Sequence, residues 1–213
     1  MNMYDPDKFK AVRSTPSQAR GKERVRQILV AALQLFKEYG IEEVTTNDIA
    51  AQAQVPIGSL YRYYPNKDAI IVALTELYTR DVSEIFDNIA DHPFLPHLSW
   101  DEVFLLMVDS WVNYTDLNGP FEFMYAEKAS PRLQKLTRDL WSDFHASFDR
   151  VVRKRCDNVT TRQLEICFQF CLAATDMGSH YKSAEGELLI HHEAVGAVSA
   201  YMLRICRSHD HKK

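Results

Sequence analysis

Glycine is scarce in this sequence, with seven among 213 residues. Loops that wrap a substrate or cradle a phosphate need glycine at fixed offsets, and no GxSxG, Gly-rich phosphate loop or HExxH is present. No nucleophile–base pair is visible along the chain, so no catalytic residue is assigned and an enzyme is not expected. Cysteine is also sparse. Cys156, Cys167, Cys171 and Cys206 form neither CxxC nor a zinc spacing. Three of them fall in apolar helical runs, which points to reduced core thiols. Cys167 and Cys171 share a helix face one turn apart, yet neither has a basic neighbour in sequence to activate it. His191 and His192 are adjacent and diverge by about 100° on a helix, so they cannot share a metal as an i,i+4 pair would. Neither metal nor cofactor is expected. No apolar run approaches the ~20 residues of a membrane span. The start, MNMYDPDKFK, is polar and mixed in charge, unlike a secretion signal. The expectation is a cytoplasmic protein with no membrane partner.

A basic excess is missing from the whole chain, whose net charge is −4. The charge is unevenly spread, however. Residues 1–67 hold ten Lys/Arg against seven Asp/Glu, a net of +3, and the remainder carries −7. Residues 1–26 alone carry +4. A basic N-terminal part on an acidic body suits a nucleic-acid-reading head on a soluble body. Apolar content of 46% supports a packed core.

No strand pattern, internal repeat or low-complexity segment occurs; the periodicity is helical throughout. Residues 1–20, with Lys8, Lys10, Arg13 and Arg20 among Pro, Ser and Thr, read as a flexible basic arm that either reaches DNA or is simply solvated. Lys22–Tyr39 is an amphipathic helix with Val25, Ile28, Leu29, Ala32, Leu35 and Phe36 on one face and Gly40 as its C-cap. Arg24 and Arg26 lie near its start, where they could meet phosphates.

Val44 to Lys67, VTTNDIAAQAQVPIGSLYRYYPNK, reads as two short helices with a tight break. Thr45 with Asp48 three residues on has capping-box spacing. Gln54-Val55 breaks the first helix, Pro56 opens the second and Pro65 ends it. Leu60 faces back with Val55 and Ile49. Ile57, Ser59, Tyr61, Arg62 and Tyr63 are expected outside. A merely solvated helix favours Glu, Lys and Ala instead. Tyrosine and arginine suit a phosphate backbone and base edges, and such a helix laid in a major groove is the helix-turn-helix mode. The competing reading of these aromatics is packing on a neighbouring domain.

Here the chain resembles the TetR family of bacterial transcriptional regulators. The matching pieces are LFKEYG (Leu35–Gly40), VTTNDIA and GSLYRYYPNK, within Ile28–Leu74. Beyond that third of the chain only helical layout and length match. Many members carry Ser or Thr at position 56 and a polar residue at 57. Pro56 and Ile57 here remove the capping hydroxyl and suggest an apolar contact, such as with a thymine methyl. The resemblance implies an all-α fold: a three-helix helix-turn-helix head over 21–67 and a helical-bundle ligand-binding and dimerisation body over 68–213. The expected function is a ligand-responsive regulator, a repressor that binds a palindromic double-stranded operator as a homodimer and is released by a small, largely apolar or aromatic effector. Expected DNA contacts are Thr45, Thr46, Asn47, Ile57, Gly58, Ser59, Tyr61, Arg62, Tyr63 and Lys67. Thr46 and Lys67 are expected on phosphates, Tyr61 and Tyr63 mainly on the backbone, and Asn47, Ile57, Ser59 and Arg62 on bases. Gly58 would permit close approach.

In the body, Asn66 caps a long helix running to about Ala90, and Ser99/Glu102 and Thr160/Gln163 are further capping boxes. A helix from Trp100 looks apolar nearly all round, with Leu105 and Leu106 on a second face. A short helix is expected over Phe121–Tyr125. Pro131 opens a longer one, the next runs to about Lys182, and Gly186 breaks it before the last. Phe104, Met107, Trp111, Tyr114, Phe121, Tyr125, Trp141, Phe144, Phe148, Phe168 and Tyr181 are candidate pocket residues, or rings that fill a helical core. Asp109 and Asp176 interrupt apolar helices, and buried there they would favour a cationic ligand. The last two helices are the dimer candidate: Ala173, Ala174, Ala194, Ala197 and Ala200 allow close approach, and Tyr201, Met202 and Ile205 supply apolar area. The alternative from another class is a helical small-molecule-binding or scaffolding protein with a degenerate head.

Overall fold

The computed structural model describes residues 19–118, 131–179 and 184–210. Among them every regular element is helical: α1 (Ala19–Tyr39), α2 (Thr46–Gln52), α3 (Ile57–Tyr63), α4 (Lys67–Ala90), α5 (Trp100–Asn118), α6 (Pro131–Arg153), α7 (Thr161–Ser179) and α8 (Ala184–Asp210). One 3-10 turn, Leu95–His97, lies between α4 and α5. Pro96 sits within that turn, where a missing N–H is tolerated. The chain divides into two compact units. One comprises the chain up to Asp81 together with Thr115–Ser142. The other comprises Val82–Tyr114 together with the chain from Asp143 on.

In the first unit, α1 buries Val25, Ile28, Leu29, Ala32 and Phe36, the face its spacing predicts. Gly40 ends the helix with φ 85°, its N–H donating to the Phe36 carbonyl at 2.9 Å. Val44, Ile49, Ala53, Val55 and Leu60 complete the small core over which α2 and α3 fold. The head-proximal part of α4 adds Ile70, Ile71, Leu74, Leu77 and Tyr78, all buried. Thr75 and Thr79 are buried there as well, and their hydroxyls donate to the carbonyls of Ile71 (3.0 Å) and Thr75 (2.9 Å). Such back-bonding satisfies a buried hydroxyl inside a helix.

In the second unit the core is aromatic. Phe86 stacks on Phe144 with centroids 5.5 Å apart and meets Trp111 and Phe148 at 6.4 and 6.3 Å. Phe168 meets Phe144 and Phe148 edge-on at 5.3 and 5.2 Å. Edge-to-face and offset pairs at these distances complement the ring quadrupoles. α7 and α8 pack along each other. The Cys167 thiol donates to the Met202 thioether at 3.1 Å in their seam. Burial, with Asp149 and Cys156 nearby, pushes the Cys167 thiol up to about 12, and burial raises Cys171 further. Both are inert core thiols. On the outside, Arg150 reaches Asp87 (2.9 Å) and Asp91 (2.7 Å).

Four expectations change. Gly186 does not break a helix; it lies within α8. Glycine disfavours helix by only about 1 kcal/mol, which a well-packed helix absorbs. α5 is not apolar all round in its setting, because Leu105 and Leu106 remain 39% and 40% exposed. Met202 and Ile205 face the unit's own core and are fully or nearly fully buried, so they do not supply interface area. Asp109 is exposed and gives no buried carboxylate. The short helix expected over Phe121–Tyr125, with those two rings, and Tyr181 lie outside the described residues, as does the side chain of Asp176.

Candidate nucleic-acid interface

Local chemistry builds the head from the bottom. The Thr45 hydroxyl accepts from the Asp48 N–H at 3.3 Å while the Asp48 carboxylate accepts from the Thr45 N–H at 2.8 Å, the reciprocal capping box its spacing predicts. The Thr45 hydroxyl, donating to the Asp48 carboxylate at 2.6 Å, and then the Thr45 N–H hold that carboxyl below its ordinary range. After α2, Gln54 turns the chain with φ 54°. A left-handed non-glycine residue costs ~1–2 kcal/mol. The turn is held by the Val55 N–H donating to the Ala50 carbonyl at 3.0 Å and by burial of Val55. Pro56 precedes α3 without any side-chain cap, and the Ser59 and Leu60 N–H groups donate to its carbonyl at 2.8 and 3.3 Å.

α3 therefore anchors through Leu60, which is fully buried, and projects Ile57 (38% exposed), Gly58, Tyr61 (44% exposed) and Arg62. Ser59 is half-buried. Across the turn, Thr45 and Asn47 are exposed at the start of α2. The Thr46 and Tyr61 hydroxyls meet at 3.0 Å, joining the two helices on their outer side. They line a shallow depression of about 360 Å³ with Glu42, Val44, Thr45, Pro65, Asn66 and Lys67. Two hydroxyls and an ammonium around an open concavity have the donor chemistry that phosphate oxygens accept.

Three side chains differ from expectation. Tyr63 is 2% exposed, so it is a core ring and not an outward contact. The helical turn that turns Tyr61 outward turns Tyr63 in, about 200° away. Arg62 lies back over Tyr63, its guanidinium carbon 4.7 Å from the ring centroid and Nη2 donating to the Tyr63 hydroxyl at 2.5 Å. Lys67 Nζ donates to the carbonyls of Ile41 (2.5 Å) and Glu42 (3.2 Å), which ties the start of α4 to the turn after α1. Two of its three N–H groups are thus used internally. The two Lys67 ties are long-range in sequence and carry no local signal; the Thr46–Tyr61 pair, 15 residues apart, is equally invisible to pattern. Arg26, expected near phosphates, pairs with Glu23 at 2.5 Å on the exposed face of α1.

The aromatic candidates of the body do not converge as one group. Phe104, Met107, Trp111, Phe144, Phe148 and Phe168 share the second unit's core, filled around Phe86, which carried only a core signal in sequence. Trp141 instead meets Tyr78 edge-on at 6.0 Å in the first unit, and Tyr114 is half-buried. Among the described residues no His, Cys, Asp or Glu cluster suits a metal, and no helix is long and apolar enough to cross a membrane.

A capped short helix, a tight turn and a second short helix with an exposed outer face define a helix-turn-helix head. Residues 28–74 match the family model of bacterial regulatory proteins, tetR family. Over 134 residues the chain is 22% identical to the HTH-type nicotine-responsive transcriptional repressor HdnoR of Paenarthrobacter nicotinovorans, covering 61% of this chain and 68% of that one. For most other curated relatives it matches, the chain spans well under two thirds of their length. Among solved structures, the SmeT–triclosan complex superposes with a TM-score of 0.65 at 18% identity, covering 85% of this chain and 90% of that chain. The regulator FadR from Bacillus subtilis in complex with stearoyl-CoA gives 0.62 at 15% identity, covering 83% and 98%. Residues 28–74 are thus a TetR-family helix-turn-helix domain, and the described residues form an all-α fold with that head at the N-terminal side and a helical C-terminal part.

Proposed function

We propose that the chain is a ligand-responsive repressor that binds a palindromic operator as a homodimer and leaves it when a small, largely apolar or aromatic effector binds. The observation that carries the DNA part is the outer face of the head: exposed Ile57, Gly58, Tyr61 and Arg62 on α3 beside the Thr46–Tyr61 depression. Thr46, Tyr61 and the third N–H of Lys67 act on phosphates, with Thr45 at the rim. Asn47, Ile57, Ser59 and Arg62 are the candidates to face bases, Arg62 on leaving Tyr63.

The homodimer reading draws on α7 and α8. Phe170 is 51% exposed and Leu203 39%, and Ala173, Ala197 and Ala200 are exposed around them, with open space over Gly196. Small residues around two large apolar ones on a helix pair suit close helix–helix approach in a two-fold four-helix contact. Such a dimer would present two heads ~34–36 Å apart to successive major grooves. The effector part rests on relatives whose structures hold triclosan and stearoyl-CoA. Release would be a population shift: the effector binds better to a body state in which α4, a continuous rod of 24 residues, holds the heads at the wrong spread.

The test is a gel shift of the full chain with DNA flanking its own gene, across a salt series. Affinity should fall steeply with salt, as phosphate contacts release counterions. A chain that stays monomeric at working concentration and shifts no duplex at low salt refutes the proposal. A reporter driven from the bound promoter separates repression from activation.

A further inference from the structure

The tip of α3 is chemically unlike the rest of the head. Pro56, Ile57 and Gly58 follow one another there, and none carries a hydrogen-bonding side-chain group. Pro56 contributes no N–H and no side-chain cap. Ile57 is the first residue of the helix and one of the few large apolar side chains left open to solvent, at 38% exposure. Beside it, nothing lies within 4 Å of where a Cβ on Gly58 would sit, so the space next to Ile57 is open.

The other polar side chains of α3 are engaged or partly covered. Arg62, the one cation on α3, donates to the Tyr63 hydroxyl and lies over its ring. Tyr61 pairs with Thr46, and Ser59 is half-buried. The foremost part of the reading helix therefore offers a branched hydrocarbon and open room, with no donor or acceptor on a side chain. Base edges in the major groove are almost wholly donors and acceptors. Their single apolar group is the 5-methyl of a pyrimidine.

Resting on the DNA-binding reading above, we infer that Ile57 is a specificity-determining residue that reads the 5-methyl group of a pyrimidine. The site it selects carries a thymine at the position facing the start of α3. Open space at Gly58 lets the helix approach that base closely. Removing the methyl leaves Ile57 facing a gap, while every hydrogen bond of the base pair stays the same. Thymine and 5-methylcytosine share this group, so the base pair and the methyl can be varied independently.

The experiment uses the full chain. Its preferred site is first taken from a random-sequence duplex pool by selection on the protein. Each thymine of that site is then replaced singly by deoxyuridine, which deletes only the methyl. At the thymine facing α3, affinity should fall about fourfold, the worth of one buried methyl. A C·G pair there should bind more weakly than T·A, and 5-methylcytosine should recover about the same fourfold relative to cytosine. Ile57→Ala should bind thymine and deoxyuridine sites alike, and Ile57→Val should keep most of the difference. Because Ile57 is exposed, these variants should melt with the parent. A selected site at which no thymine responds to deoxyuridine, or an Ile57→Ala protein that discriminates as well as the parent, overturns the assignment of Ile57 and leaves DNA binding standing. A pool from which no sequence is enriched overturns the DNA reading itself.

Discussion

Tyr64 closes α3 and begins the path into α4, and its phenol is an informative perturbation point. The residue is fully buried, and its hydroxyl finds no hydrogen-bond partner among the described residues. A buried hydroxyl left unpaired costs ~1–3 kcal/mol. Tyr64→Phe deletes that group and keeps the ring, so it should stabilise the fold by about 1–2 kcal/mol. For a chain of this size each kcal/mol raises the melting temperature by roughly 2–4 °C. The effect should grow at alkaline pH. Burial, with a smaller push from Glu76, raises the Tyr64 phenol above its ordinary value of 10.0. The unfolded phenol then ionises above pH 10 while the folded one stays protonated, and the unfolded state gains. This contribution to stability is whole well below pH 10 and is lost as pH rises, by about 1 kcal/mol between pH 10 and 11. Tyr64→Phe lacks that loss, so its advantage over the parent should widen over that unit. Urea unfolding at pH 8, 10 and 11 measures both quantities. A variant no more stable than the parent at pH 8, or an advantage that stays constant to pH 11, refutes the reading of an orphaned, desolvated phenol.

Other substitutions test the remaining structure. Lys67→Met should cost about 1–2 kcal/mol of stability by freeing the Ile41 and Glu42 carbonyls. It should also lower the salt slope of DNA binding by about 1 if the third N–H meets a phosphate; an unchanged melting temperature would exclude the tie. Thr45→Ala removes the capping box of α2 and should destabilise by about 0.5–2 kcal/mol in thermal melts. Phe144→Ala empties the ring cluster of the second unit and should cost about 3–5 kcal/mol. A loss under 1 kcal/mol, read by the same melts, would mean those rings border free space instead of filling one another.

Much of the head was legible in order of residues. Capping spacings at Thr45/Asp48, Ser99/Glu102 and Thr160/Gln163 all form bonds, at 2.8, 2.6 and 2.9 Å from backbone N–H to side chain. Gly40, Pro56 and Pro131 mark the helix ends as expected. These signals are local: a cap needs only the three residues that follow it. The 3.6-residue period likewise told which face of α1 would be buried.

What period could not tell was what each buried or exposed face would meet. Tyr61 and Tyr63 have the same chemistry two residues apart, yet one is 44% exposed and the other a core ring. Leu105 and Leu106 read as core and stay partly open, while Met202 and Ile205 read as interface and are core. Arg62 and Lys67 read as free cations, and the fold gives them Tyr63 and two carbonyls instead. The sequence by itself determined where helices start and stop, because propensity, capping and proline act within a single turn. Only the tertiary structure decided which side chains remain available, because that depends on neighbours many residues distant, set by how whole helices pack.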